Sequence, residues 1–67
     1  MADDVLPTPV ELWRSGAASC VVIHNQSMES YEIRVLEGGR VIERRWFISG
    51  EEAMAFASAA RVKRDQS

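Results

Sequence analysis

The sequence predicts a small α+β domain of the order α-β-β-β-α: a short N-terminal helix, a three-stranded antiparallel meander, and a C-terminal helix packed on one face of the sheet. Three observations carry this. Residues 31–37 and 40–48 alternate apolar and polar side chains on either side of Gly38-Gly39, the pattern of a tight β-hairpin. Residues 19–24, SCVVIH, concentrate β-branched side chains at their centre, which suits a strand. Residues 49–52, Ser-Gly-Glu-Glu, precede an alanine-rich run and read as a capping box opening a helix.

The N-terminal element rests on Thr8-Pro9-Val10-Glu11. Threonine as N-cap, proline at the first helical position and glutamate three residues after the cap predict a helix over about 9–15. Gly16 would stop it. A helix so short persists only by packing, for which Val10, Leu12 and Trp13 are available. Residues 1–7 are expected to form a flexible leader, 8–64 the domain, and 65–67 a flexible tail.

The strand 19–24 is apolar on both faces, so alternation does not say which face is buried. The hairpin is more informative. With Glu37 opposite Arg40, an unbroken ladder sets Val35 against Ile42, Ile33 against Arg44 and Tyr31 against Trp46. On the other face it sets Leu36 against Val41, Arg34 against Glu43 and Glu32 against Arg45. Two opposite-charge pairs then cross the strands, each contributing roughly 0.2–1 kcal/mol. The expected core is Tyr31, Ile33, Val35, Ile42 and Trp46 beneath Ala53, Phe56, Ala57 and Ala60, together with residues of the first strand. Arg44 is the misfit on that face and must extend past the helix edge.

The chain of 67 residues makes one domain that buries only about 60% of its unfolded surface, so it is marginal alone. A single cysteine, Cys20, and a single histidine, His24, allow neither an internal disulfide nor a zinc site. Oligomerisation is the staple left open, or else an unusually efficient core. The start, MADDVLPTP, lacks the basic and apolar regions of a secretory signal. No apolar run reaches the ~18 residues of a membrane span. The expectation is a cytoplasmic protein with no membrane association.

No catalytic constellation is legible. Cys20 and His24, four apart on one strand, stand roughly 13 Å from each other, too far for a nucleophile and its base. Gly38-Gly39 is a turn rather than a phosphate loop, because no Lys-Ser/Thr and no helix follows. The sequence therefore points to a non-enzymatic protein without cofactor or metal. The net charge of −2 argues against nucleic acid as the principal ligand, since phosphate contacts need a basic excess.

The order strand, strand, strand, helix, with GGRVIERRWFISGEEAMAFASAA as its latter half, resembles the plant AP2 domain and integrase N-terminal domains. It also resembles small uncharacterised bacterial domains that end a curled sheet with a Glu-Glu-Ala helix. The AP2 and integrase likeness implies a sheet entering the DNA major groove, with its arginines at Arg34 and Arg45. Glu32 and Glu43 share that face and neutralise them. The preferred reading is a protein-interaction module, with a homodimer as one form, whose surface is Trp13, Leu36, Val41 and Phe47 rimmed by Arg34 and Arg45. A nucleic-acid-binding domain using the exposed sheet face is the alternative.

Overall fold

A computed structural model describes residues 8–65. The expected leader, residues 1–7, and the last two residues of the expected tail lie outside the described residues. Four strands and one helix follow in order: β1 (Val10–Ser15), β2 (Ala18–Asn25), β3 (Ser30–Glu37), β4 (Arg40–Phe47) and α1 (Gly50–Asp65). The strands form one antiparallel sheet in sequence order, β1-β2-β3-β4. The helix packs on one face of it, touching all four strands.

The expected α-β-β-β-α layout is therefore corrected to β-β-β-β-α. Among the described residues the expected helix over 9–15 does not form, and the sheet has a fourth strand in its place. The Thr-Pro-Val-Glu pattern is a local preference, and the tertiary context overrides it. As a strand, the segment places Trp13 opposite Cys20, where its side chain is only 8% exposed. An isolated helical turn or two would have to nucleate without that burial. Gly16 has φ +60° and leads a two-residue connection of Gly16 and Ala17 between β1 and β2. Positive φ at the first central position alone is the pattern of a type II′ hairpin turn. So Gly16 joins two strands rather than ending a helix.

The second hairpin has the expected turn. Gly38 and Gly39 have φ of +61° and +83°, the pair of left-handed residues that a type I′ turn requires. Glu37 faces Arg40 and Leu36 faces Val41, as expected. The ladder then slips. A β-bulge at Ile42 puts Glu43 opposite Val35, Arg44 opposite Arg34, Arg45 opposite Ile33, Trp46 opposite Glu32 and Phe47 opposite Tyr31. The extra residue moves everything after Ile42 to the other face. The expected Arg34–Glu43 and Glu32–Arg45 pairs do not form across the strands, and Trp46 leaves the expected core.

The core lies between α1 and the sheet. Trp13, Ala18, Cys20, Ile33 and Val35 meet Ala53, Ala57 and Ala60, with Leu12, Val22, Tyr31, Phe47 and Phe56 packed around them. Ile42 and Trp46 are exposed instead. Phe47 takes the place expected for Trp46, its ring 5.5 Å from that of Phe56. The three alanines keep the helix close to the sheet. Trp13 then reaches the helix backbone, its Nε1 donating to the carbonyl oxygen of Ala57 at 2.9 Å.

The helix is held at both ends. Ser49 Oγ accepts from the backbone N–H groups of Glu51 and Glu52 at 3.2 and 3.4 Å, the N-cap expected from the sequence. At the C-terminal end Ser15 Oγ donates to Asp65 Oδ1 at 2.8 Å, and Arg64 Nη1 lies 3.1 Å from Glu37 Oε1. Asp65, expected in the tail, is the last helical residue.

Candidate interaction surface

One face of the sheet is the core wall, and α1 does not cover the other. Because cross-strand partners share a face, the register assigns this open face residue by residue. Val21 and Ile23 of β2 stand beside Arg34 and Glu32 of β3, and these stand beside Arg44 and Trp46 of β4. Ser19, Leu36 and Val41 form the adjoining row, and Arg14 and Glu11 supply the β1 side. Strand β2 thus divides its apolar residues, with Cys20 and Val22 under the helix and Val21 and Ile23 outside. That resolves the ambiguity of its sequence.

A charged cluster occupies the middle of this face. The Glu32 carboxylate accepts from Arg34 Nε at 2.8 Å, from Arg34 Nη2 at 3.4 Å and from Arg44 Nε at 3.0 Å. The bond from Arg34 holds Glu32 below the usual carboxylate range; burial opposes this and the bond from Arg44 adds to it. The Arg44 guanidinium also lies over the Trp46 indole, 5.1 Å from the ring centroid, within cation–π range. Trp46 is 59% exposed. Arg14 and Glu11 pair at 2.7 Å. Three guanidiniums (Arg14, Arg34, Arg44) thus face two carboxylates (Glu11, Glu32), an excess of one positive charge on a chain whose net charge is −2.

The six residues expected to line a partner surface are not brought together. Leu36, Val41 and Arg34 lie on the open face. Trp13 is buried under α1 on the opposite side. Phe47 packs against Phe56 on the helix side. Arg45 lies on that side too, with its guanidinium 5.7 Å from the Phe56 ring and 3.8 Å from Glu43. Sequence reasoning missed Val21, Ile23, Arg44 and Trp46. Arg44 is no misfit in the core: the bulge turns it outward.

Neither free edge invites a further strand. Both β1 and β4 carry a register shift, between Glu11 and Trp13 in one and at Ile42 in the other. Bulges of this kind blunt the edges of natural sheets.

Cys20 is fully buried, and desolvation pushes its thiol up to about 11. It is protonated at neutral pH, where a nucleophile needs the thiolate. His24 stacks on Tyr31, ring centroids 4.5 Å apart. Among the described residues no group of three or more His, Cys, Asp or Glu side chains is placed to hold a metal ion. None of the described helices is long and apolar enough to cross a membrane. Comparison with protein-family models, curated proteins and solved structures finds no match for this chain.

Proposed function

We propose that this chain is a small non-enzymatic interaction module that binds a protein partner through the open face of its sheet. One observation carries the reading. Five apolar side chains (Val21, Ile23, Leu36, Val41 and Trp46) surround the Arg34–Glu32–Arg44 cluster on a face that no described element covers. Apolar side chains gathered on one uncovered face and interleaved with polar ones support an interaction site more than apolar residues scattered singly do. Trp and Arg are the side chains most enriched at binding hot spots. The excess positive charge selects a partner with acidic groups next to apolar ones. It also opposes face-to-face stacking of two copies, which would bring the arginine clusters together.

The test is site-specific photo-crosslinking in the cells that make the protein. A photoreactive residue at Val41 is expected to trap a discrete adduct, and Arg44→Glu to remove it. Equal labelling from Val41 and from a position on the outer side of α1, or no adduct from Val41, would contradict the reading.

A second reading is favoured by the Arg44–Trp46 pair: a single-stranded nucleic acid laid across the same face. An exposed indole can stack a base, worth about 1–3 kcal/mol, and Arg34 and Arg44 can meet phosphates. Binding of an oligothymidine should then quench Trp46 fluorescence and weaken steeply with salt. No quenching at low salt would dispose of it.

A further inference from the structure

The bulge at Ile42 brings two like charges together. In an unbroken ladder Arg34 would face Glu43 and Glu32 would face Arg45, both favourable pairs. In the bulged ladder Arg34 stands directly across from Arg44, and like charges in that position are destabilising. Glu32 holds both guanidiniums: its carboxylate accepts from Nε of each and from Nη2 of Arg34. One carboxylate offsets one of two positive charges, so the cluster keeps an excess of one. The Glu32 side chain is 14% exposed, against 35% for Arg34 and 50% for Arg44. The acid is therefore the more deeply set group, and the guanidiniums reach past it to solvent. Nη1 of Arg34 and both Nη groups of Arg44 take no part in these bonds.

Bulges in natural sheets often re-aim a side chain beside a functional site. Here the bulge sets two guanidinium forks side by side on the uncovered face, and such forks match the geometry of a carboxylate or a phosphate. Resting on the reading of this face as a protein-binding surface, we propose that Arg34 and Arg44 together receive one Asp or Glu side chain of the partner, set beside an apolar residue. Glu32 makes them selective for that single charge over a phosphorylated side chain. A carboxylate brings one negative charge and closes the cluster at zero. A phosphoserine brings about −1.5 to −2 near neutral pH, so it leaves an uncompensated negative charge beside Glu32. The partner's apolar residue has its place too: Val21 adjoins Arg34, and Ile23 and Trp46 flank Glu32. Glu32 is a positioning residue in this scheme. It touches no partner atom, but it orients both guanidiniums and sets the charge they present.

The probes are three capped tripeptides: acetyl-Leu-Glu-Leu-amide and its counterparts with glutamine or phosphoserine at the centre. Each is titrated into the full chain and followed by the Nε–H resonances of Arg34 and Arg44. The glutamate peptide is expected to bind roughly tenfold more tightly than the glutamine peptide, the worth of about one charged hydrogen bond, and more tightly than the phosphoserine peptide. Glu32→Gln keeps a polar side chain and removes its charge, and it is expected to put phosphoserine ahead of glutamate. That readout is an order of two affinities within one variant, so a modest loss of stability does not move it. Arg44→Gln, which leaves Glu32 and Arg34 to neutralise each other, is expected to bind the glutamate and glutamine peptides alike. Phosphoserine ahead of glutamate in the wild-type chain, or an order unchanged by Glu32→Gln, would overturn the role of Glu32. Equal binding of the glutamate and glutamine peptides to the wild-type chain would overturn the carboxylate clamp. So would the absence of shifts from all three at their highest soluble concentrations. A Val41 crosslink found alongside either of these last results keeps the face as a binding surface and removes only the clamp, whereas no crosslink removes both.

Discussion

The indole of Trp13 reaches through the core to the helix, where its Nε1 donates to the Ala57 carbonyl oxygen at 2.9 Å. The residue that sequence reasoning placed on an N-terminal helix and on a partner surface instead fastens β1 to α1. Trp13→Phe keeps an aromatic ring there and removes the donor. The expected cost is roughly 1–2 kcal/mol from the lost bond and the smaller ring, or about 4–8 °C in Tm per kcal/mol for a domain of this size. Thermal melts followed by circular dichroism would measure it. An unchanged Tm would show that the bond contributes nothing.

The alanines beneath that bond set the distance between helix and sheet. Ala57 is 3% exposed and faces Trp13 and the sheet. Ala57→Leu adds three carbons where no space remains, and overpacking of this kind costs about 1–3 kcal/mol. Ala59→Leu, on the outer side, is expected to leave the melting of the dilute chain nearly unchanged. Equal losses at the two positions would contradict the assignment of helix faces.

Glu32 gives the fold a pH dependence of known sign. Its folded pKa is lowered, first by the Arg34 hydrogen bond. It therefore binds protons more readily in the unfolded chain than in the folded one. Its contribution is complete above the unfolded carboxylate value and is lost as pH falls through the folded value. Stability should decline on acidification across that window, and Glu32→Gln should flatten the decline. Urea melts at a series of acidic pH values would show it. An unchanged slope in the variant would assign the acid sensitivity to other carboxylates.

The two tryptophans make the faces visible in solution. Trp46 is 59% exposed and Trp13 8%. Iodide is expected to quench most of the accessible fluorescence in Trp13→Phe and almost none in Trp46→Phe. The reverse result would place the wrong indole in the core.

Local chemistry made the second hairpin turn and the C-terminal helix legible. Gly38-Gly39 and the Ser49 cap each need only their own few residues. Strand β1 was hidden for two reasons. Thr8-Pro9-Val10-Glu11 imitates a helix start, and the register shift between Glu11 and Trp13 sends Leu12 and Trp13 toward the same core, which breaks the alternation that marks a strand. The bulge at Ile42 left no signature because of the residues that follow it. Arg44-Arg45 and Trp46-Phe47 are like pairs, so a slip of one exchanges an arginine for an arginine opposite Ile33 and an aromatic for an aromatic opposite Tyr31. The pattern is almost indifferent to the slip. The packing of Phe47 on Phe56 and the two hydrogen bonds that Arg34 and Arg44 donate to Glu32 favour the bulged register. The open face was thus legible in Arg34, Leu36 and Val41, which precede the slip, and lost at Arg44 and Trp46, which follow it.

That slip decides which side chains face a partner, and cross-strand backbone NOEs between β3 and β4 measure it most directly. The bulged register predicts contacts of Tyr31 with Phe47, Ile33 with Arg45 and Val35 with Glu43. Contacts of Tyr31 with Trp46, Ile33 with Arg44 and Val35 with Ile42 would return Trp46 to the core and remove the proposed binding face.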